Sequence, residues 1–200
     1  MKIMKNFDVR KLVLLALLTT IVFVLQLLAS FFPVYPFRLN LVIIPIVIGA
    51  AMIGPLAGCW LGVVFAFVVL VSSPDIAAFM VYSPFATILV LLLRGALSGL
   101  LAGLVYNAMA VINKILAVMV AALSCVIINT SLFVVGIYVF FLPVLEMIGI
   151  TGAEDIASFV FLGLIGVNFF IELATSFVLC PAIVRLIQYM NVEKTDLKKT

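Results

Sequence analysis

Histidine is absent from the 200 residues of this chain, and Asp, Glu, Lys and Arg together make up only 10% of them. Without histidine the commonest general base is missing, as are several types of metal site. Cys59, Cys125 and Cys180 stand singly in apolar runs with no CxxC pair, so they read as small buried hydrophobes. No clustered acid pair, glycine-rich phosphate loop or Walker motif is present, which leaves enzymatic chemistry nothing to rest on. A basic patch interleaved with aromatics is lacking too, so nucleic acid is not an expected partner.

What the chain has in abundance is apolar surface. Hydrophobic residues make up 68% of it, and the mean hydropathy is +1.49. Too few charges remain to cover a water-facing exterior, so the composition is that of an integral membrane protein. The apolar runs have helical length rather than the alternating ten-residue pattern of a barrel. The expected fold is an all-α membrane protein, a compact bundle of six transmembrane helices. Residues 1–11 read as a basic N-terminal segment, 12–187 as the six-helix transmembrane domain, and 188–200 as a polar tail.

The first expected span is Leu12–Phe32, too long for a signal-peptide core and lacking a clean cleavage site. Within it Ala16 and Thr20 put small residues one turn apart, suited to ordinary packing or to docking of a partner helix. Pro33 and Pro36 end that helix. Leu41–Ile53 and Leu56–Val71 follow as a close-packed hairpin around the turn Gly54-Pro55, with Gly54, Gly58, Gly62 and Ala66 at a spacing of four. Ser72–Ser83 is expected to be a loop, apolar enough to lie at the interface or to act as a lid, and Pro143–Ser158 is expected to be a second loop. The fourth helix is expected from Ser83 to about Ala110, the fifth from about Ile115 to Phe141, and the sixth from Phe159 to about Ile187. Lys2, Lys5, Arg10, Lys11, Lys114, Arg185, Lys194, Lys198 and Lys199 fall on the side of the two termini. Opposite them fall Arg38, Asp75, Glu146, Glu154 and Asp155. By the positive-inside rule both termini are then cytoplasmic.

The fourth span carries Arg94 near its middle, followed by a ridge of Gly95, Gly99 and Gly103. A guanidinium at that depth costs roughly 2.5–3.5 kcal/mol on insertion scales, whereas the glycines let a neighbouring helix approach closely. At about 1.5 Å of rise per residue, Arg94, Asn129, Asn168 and Glu172 reach similar depths on three successive helices. Two readings follow. Arg94 and Glu172 form a structural ion pair supported by the asparagines, or the four line a ligand site that opens outward. In the second, Arg94 holds a carboxylate or carbonyl with its planar fork, and Asn129, Asn168 and Glu172 serve hydroxyl or amide groups. No nucleotide domain and no repeated halves are present, so a solute-binding subunit that borrows its motor from other proteins fits best.

In RKLVLLALLTT, in NLVIIPIVIGAAMIGPLAGCWLGVVFAF, and in the pairing of SPFATILVLLLRGALSGLLAGLVYN with INTSLF and VNFFIEL, the chain resembles the S-components of energy-coupling-factor (ECF) transporters. These are the substrate-binding membrane subunits of bacterial and archaeal vitamin uptake. The resemblance runs from Lys11 to about Ile187 and rests on the order and spacing of short apolar motifs. It implies a six-helix bundle in the bacterial plasma membrane that captures a vitamin or precursor from outside. It also implies partners: a transmembrane coupling protein and two ATPase subunits, which hydrolyse the ATP, so no cofactor is expected in this chain. Family members carry an alanine pair four residues apart in helix one that contacts the coupling protein; Ala16 matches, and Thr20 departs from it. An apolar cavity with one arginine looks most like the pantothenate-type branch. A membrane scaffold similar to the rod-shape-determining proteins, or a stand-alone transporter, are the alternative readings.

Overall fold

A computed structural model describes residues 9–31, 41–73, 76–147 and 169–180, with the single positions 152, 154, 158 and 182. Asn168, the start of the expected sixth span, the polar tail and most of the basic residues at the two ends lie outside the described residues. Along the chain come α1 (Val9–Phe31), α2 (Ile43–Met52), α3 (Pro55–Ser72), α4 (Ile76–Tyr82), α5 (Pro84–Met109), α6 (Lys114–Phe140) and α7 (Leu142–Met147), then α8 (Phe169–Cys180). Among the described residues every element is a helix, as composition requires. Four of them, α1, α3, α5 and α6, are long and apolar enough to cross a membrane, while α2 and α8 are shorter apolar helices.

The starts of the long helices follow from local chemistry. Pro55 and Pro84 occupy the first helical turn of α3 and α5, where a missing N–H has no helical partner to lose. Gly54 precedes α3 with φ of 137°, a conformation that a residue with a Cβ rarely adopts. Asn113 caps α6, its Oδ1 accepting from the backbone N–H of Ile115 at 2.9 Å and of Leu116 at 3.3 Å. Two expected loops differ from the structure. The segment after α3 folds into α4 once past Pro74, because Ile76 to Tyr82 contains no further proline or glycine. Pro143 lies in the first turn of α7, where proline is tolerated, and so does not begin a loop. α1 also starts at Val9, which brings Arg10 and Lys11 into the helix.

Helix α5 is the centre of the bundle and packs against α3 on one side and α6 on the other. The α3–α5 contact is made by glycines on both helices. A Cβ on Gly62 would run into the Gly95 carbonyl and one on Gly95 into that of Gly62; Gly58 and Gly99 stand in the same reciprocal relation. The two backbones therefore touch, and a Cβ on Gly103 would strike Pro55 one turn further along. These pairs define an antiparallel register. On the other side of α5, Val90 meets Gly136 and Ser98 meets Cys125, so α6 is antiparallel to α5.

A chain of polar contacts ties α1 to α3. The Trp60 indole N–H donates to Thr19 Oγ1 at 3.2 Å, and the hydroxyls of Ser30 and Ser72 are 2.8 Å apart. Residues 19 and 30 thus match 60 and 72 in order, so α1 runs parallel to α3. In consequence α1, α3 and α6 all begin at one end of the bundle, the end that carries Arg10, Lys11 and Lys114.

The glycine contact generates a stability prediction. Gly62→Ala and Gly95→Ala each place a methyl against a carbonyl that cannot withdraw, and should lower stability by about 1–3 kcal/mol, the usual range for overpacking. Thermal unfolding in detergent reads this loss. Ala108→Leu on the exposed side of α5 should leave the midpoint unchanged.

Candidate functional site

The α3–α5 register decides what surrounds Arg94. Gly62 against Gly95 sets Phe65, three residues further along α3, beside the residue just before Gly95. The Arg94 guanidinium carbon lies 5.7 Å from the centroid of the Phe65 ring. From the α6 side it lies 4.6 Å from the centroid of Phe133. Both distances fall within the range in which a cation is attracted to an aromatic face. Phe65 is 2% exposed and Arg94 itself is half-buried, so the guanidinium lies against the packed interior of the bundle.

Cation–π contact offsets part of the penalty of burying the guanidinium, yet it leaves directional N–H donors unused. Arg94 Nε is buried and has no hydrogen-bond partner among the described residues. The same holds for Asn129 Oδ1 on α6, although Asn129 as a whole is 6% exposed. Asn129 and Phe133 are four apart and share a face of α6. The unused donor on α5 and the unused acceptor on α6 therefore belong to facing stretches of the two helices, Phe133 lying against Arg94 and one turn from Asn129. Buried polar groups are nearly always bonded, and a complementary pair left open suits a molecule that offers an acceptor to one and a donor to the other.

Polar groups continue one turn along each helix. Ser98 follows Arg94 on α5, is 2% exposed, donates to the Gly95 carbonyl at 3.0 Å and meets the Cys125 thiol. Glu172 on α8 lies near both Arg94 and Cys125. Ser176, one turn beyond Glu172, is 1% exposed. The structure thus brings Arg94, Asn129 and Glu172 to one region, with Asn168 outside the described residues. Phe65 and Phe133 escaped the sequence reading, which attended to polar residues. The signal for them was positional: Phe133 lies one turn from Asn129, and Phe65 follows from counting along the paired glycines.

A cavity of about 10 Å³ adjoins Phe133 and is bounded on its far side by Phe79 of α4 and Phe141, a space for about one water. Phe79 and Phe141 meet edge to face with ring centroids 4.8 Å apart. The two short helices α4 and α7 accordingly stand over the end of α5 and α6 opposite Arg10, Lys11 and Lys114.

Ala16 and Thr20 lie on the exposed side of α1. The Thr20 hydroxyl donates to the Ala16 carbonyl at 3.1 Å, so it is satisfied within the helix. Toward a neighbour Thr20 then presents its methyl, as alanine would.

In comparison with known proteins, a model of the family described as ECF transporter, substrate-specific component, matches residues 10–184. No curated protein and no solved structure matches. Among the described residues no group of His, Cys, Asp or Glu is arranged to hold a metal ion.

Because Asn129 Oδ1 has no partner among the described residues, Asn129→Leu should leave the thermal midpoint of the ligand-free protein unchanged or raise it. A loss of about 1–3 kcal/mol, the cost of breaking a buried hydrogen bond, would show that Asn129 holds the bundle together instead.

Proposed function

The chain belongs to the family of substrate-specific components of energy-coupling-factor transporters, and on that premise we propose that Arg94, Asn129, Asn168 and Glu172 bind a small carboxylate of the vitamin class. As a member of that family it is a multi-pass membrane subunit that binds a small-molecule substrate, not an enzyme. The observation that carries the proposal is a pair of buried atoms with no partner among the described residues, Arg94 Nε and Asn129 Oδ1, beside the rings of Phe65 and Phe133. A carboxylate supplies the acceptor for Arg94 in the bidentate geometry that guanidinium favours, and a ligand hydroxyl or amide N–H supplies the donor for Asn129. Pantothenate has one carboxylate, two hydroxyls and an amide on a flexible apolar frame, and is the candidate we favour. Asn168 enters because it precedes Glu172 by four residues, the spacing of helical neighbours.

The ligand enters past α4 and α7. The space between Phe79, Phe141 and Phe133 is about 10 Å³, too small to pass a vitamin, so entry by this route requires α4 and α7 to part, as a lid would. Six spans, with α2 and α8 completing the four long helices, put both termini in the cytoplasm. Arg10, Lys11 and Lys114 at one end of the bundle favour that orientation under the positive-inside rule. The exposed pair Ala16 and Thr20 is the docking face for the transmembrane coupling protein, which links this chain to two ATPase subunits. A scaffold has no use for a buried donor and acceptor that find no partner among the described residues, and that reading is accordingly disfavoured.

Native mass spectrometry of protein purified in detergent should detect a bound molecule of vitamin size. Titration calorimetry with that molecule should then show binding weakened at least tenfold in Arg94→Gln, given that a charged hydrogen bond contributes about 1.5–3 kcal/mol. Unchanged affinity in Arg94→Gln would remove Arg94 from the site. For docking, Ala16→Trp should abolish co-purification with the coupling protein while leaving ligand affinity intact. Retained co-purification would place the interface elsewhere.

A further inference from the structure

A second cavity, far larger than the one beneath α4, lies between α1, α2 and α8. Its volume is about 360 Å³, and its lining, from Leu14 to Leu25 along α1, Ile44 and Ile48 on α2, and Leu179 on α8, is wholly apolar among the described residues. Ile44 and Ile48 form a buried back wall, at 8% and 4% exposed, while Leu17 and Leu179 at the rim are 54% and 40% exposed. The cavity therefore opens sideways, toward the lipid that surrounds a membrane bundle. It offers a carboxylate or hydroxyl nothing to bond, so it does not serve the substrate proposed above. An enclosed apolar void of about 150 Å³ stays dry and takes up benzene. One more than twice that size, with its mouth in hydrocarbon, is filled by hydrocarbon.

The geometry points to a specific occupant: one acyl chain of an anionic phospholipid, with its headgroup at Lys11. Two dimensions of the groove favour it. Leu14 and Leu25 are about 16 Å apart at 1.5 Å per residue, close to the ~15 Å of hydrocarbon in one leaflet of a ~30 Å core. Beyond Leu14, at the end where α1 begins, Arg10 and Lys11 precede it by four and three positions. That spacing puts both on the groove side of α1, and both are exposed. A cation at the headgroup level attracts lipid phosphate, and the lysine stem lies along the apolar surface below it. A zwitterionic lipid satisfies the groove but gains less from Lys11, so the site selects for net negative charge.

The groove does not compete with the docking face. Ala16 and Thr20 project roughly 150° around α1 from the line of Leu14, Leu18, Ile21 and Leu25, counted at 3.6 residues per turn. α1 is also the least embedded of the long helices, so a chain lodged between it and α2 would steady the helix that carries the proposed docking face. This inference rests on the groove and Lys11 alone and stands or falls independently of the substrate reading.

Native mass spectrometry of delipidated protein in detergent, incubated with dioleoyl phosphatidylglycerol or dioleoyl phosphatidylcholine, tests it. Wild type should retain one phosphatidylglycerol, with at least fivefold higher occupancy than phosphatidylcholine. Ile21→Trp and Leu179→Trp fill the groove from its rim and should each lower that occupancy at least fivefold. Phe23→Trp, on another exposed face, should not. Lys11→Gln, an exposed change that leaves the packing intact, should abolish the preference between the two lipids while both still bind. Equal occupancy in wild type and the two groove variants would overturn the site. So would wild type that retains neither lipid, the result expected if detergent, a partner helix or another part of this chain fills the groove. A preference that survives Lys11→Gln would overturn the headgroup assignment.

Discussion

The backbone contact between α3 and α5 is the constraint from which the rest of the bundle follows. Gly58 and Gly62 face Gly99 and Gly95 with no Cβ on either side, and in a membrane such close approach, rather than hydrophobic exclusion, holds helices together. The contact fixes register as well as distance. Sliding α3 by one residue along α5 would drive a side chain into a carbonyl, so the position of Phe65 relative to Arg94 has no freedom. On the other flank a small residue of α6 admits α5, Gly136 taking the side chain of Val90. A central helix gripped on both sides can carry a charge at mid-depth without turning it toward lipid.

That charge is stabilised in an unusual way. Arg94 has two phenyl rings against its guanidinium and a charge partner in Glu172, yet Nε donates to nothing among the described residues. Aromatic faces favour a cation without specifying where its N–H bonds point, and a carboxylate-sized ligand can still claim them. On the proposed reading, such an arrangement keeps the bundle folded when empty and leaves binding energy for the substrate. The two short helices over the site, joined through Phe79 and Phe141, make a small contact compared with the glycine seam.

Much of this was legible in the sequence. Composition gave the membrane class, and Arg94 stood out as a charge within an apolar run. The glycine spacing signalled close packing, but Gly58 and Gly62, expected in a hairpin with the preceding run, meet Gly99 and Gly95 of α5 most closely. Asn129 and Glu172 were found by comparing depth along successive helices, and the structure brings both to the region of Arg94. Less legible was anything dependent on tertiary register. Phe65 and Phe133 are ordinary apolar residues until the glycine pairs set them on either side of the arginine. α4 read as a loop because Pro74 and Asp75 precede it, although Ile76–Tyr82 is free of helix breakers. The lipid-sized groove was invisible for a related reason: its walls come from three helices distant in the chain, and each leucine in it looks like any other.

The central claim is that Arg94 Nε is kept open for a ligand. Nitrogen NMR of protein labelled in its arginine side chains, with the Arg94 Nε signal assigned by its loss in Arg94→Lys, tests this directly. Spectra are recorded empty and after addition of pantothenate, or of the co-purified molecule if that differs. The expected result is an Arg94 Nε–H resonance at a position typical of an unbonded donor in the empty protein, moving strongly on binding while the other arginines stay fixed. An Nε–H already hydrogen-bonded without ligand, or unmoved by a ligand that binds, would contradict it and make Arg94 a structural charge.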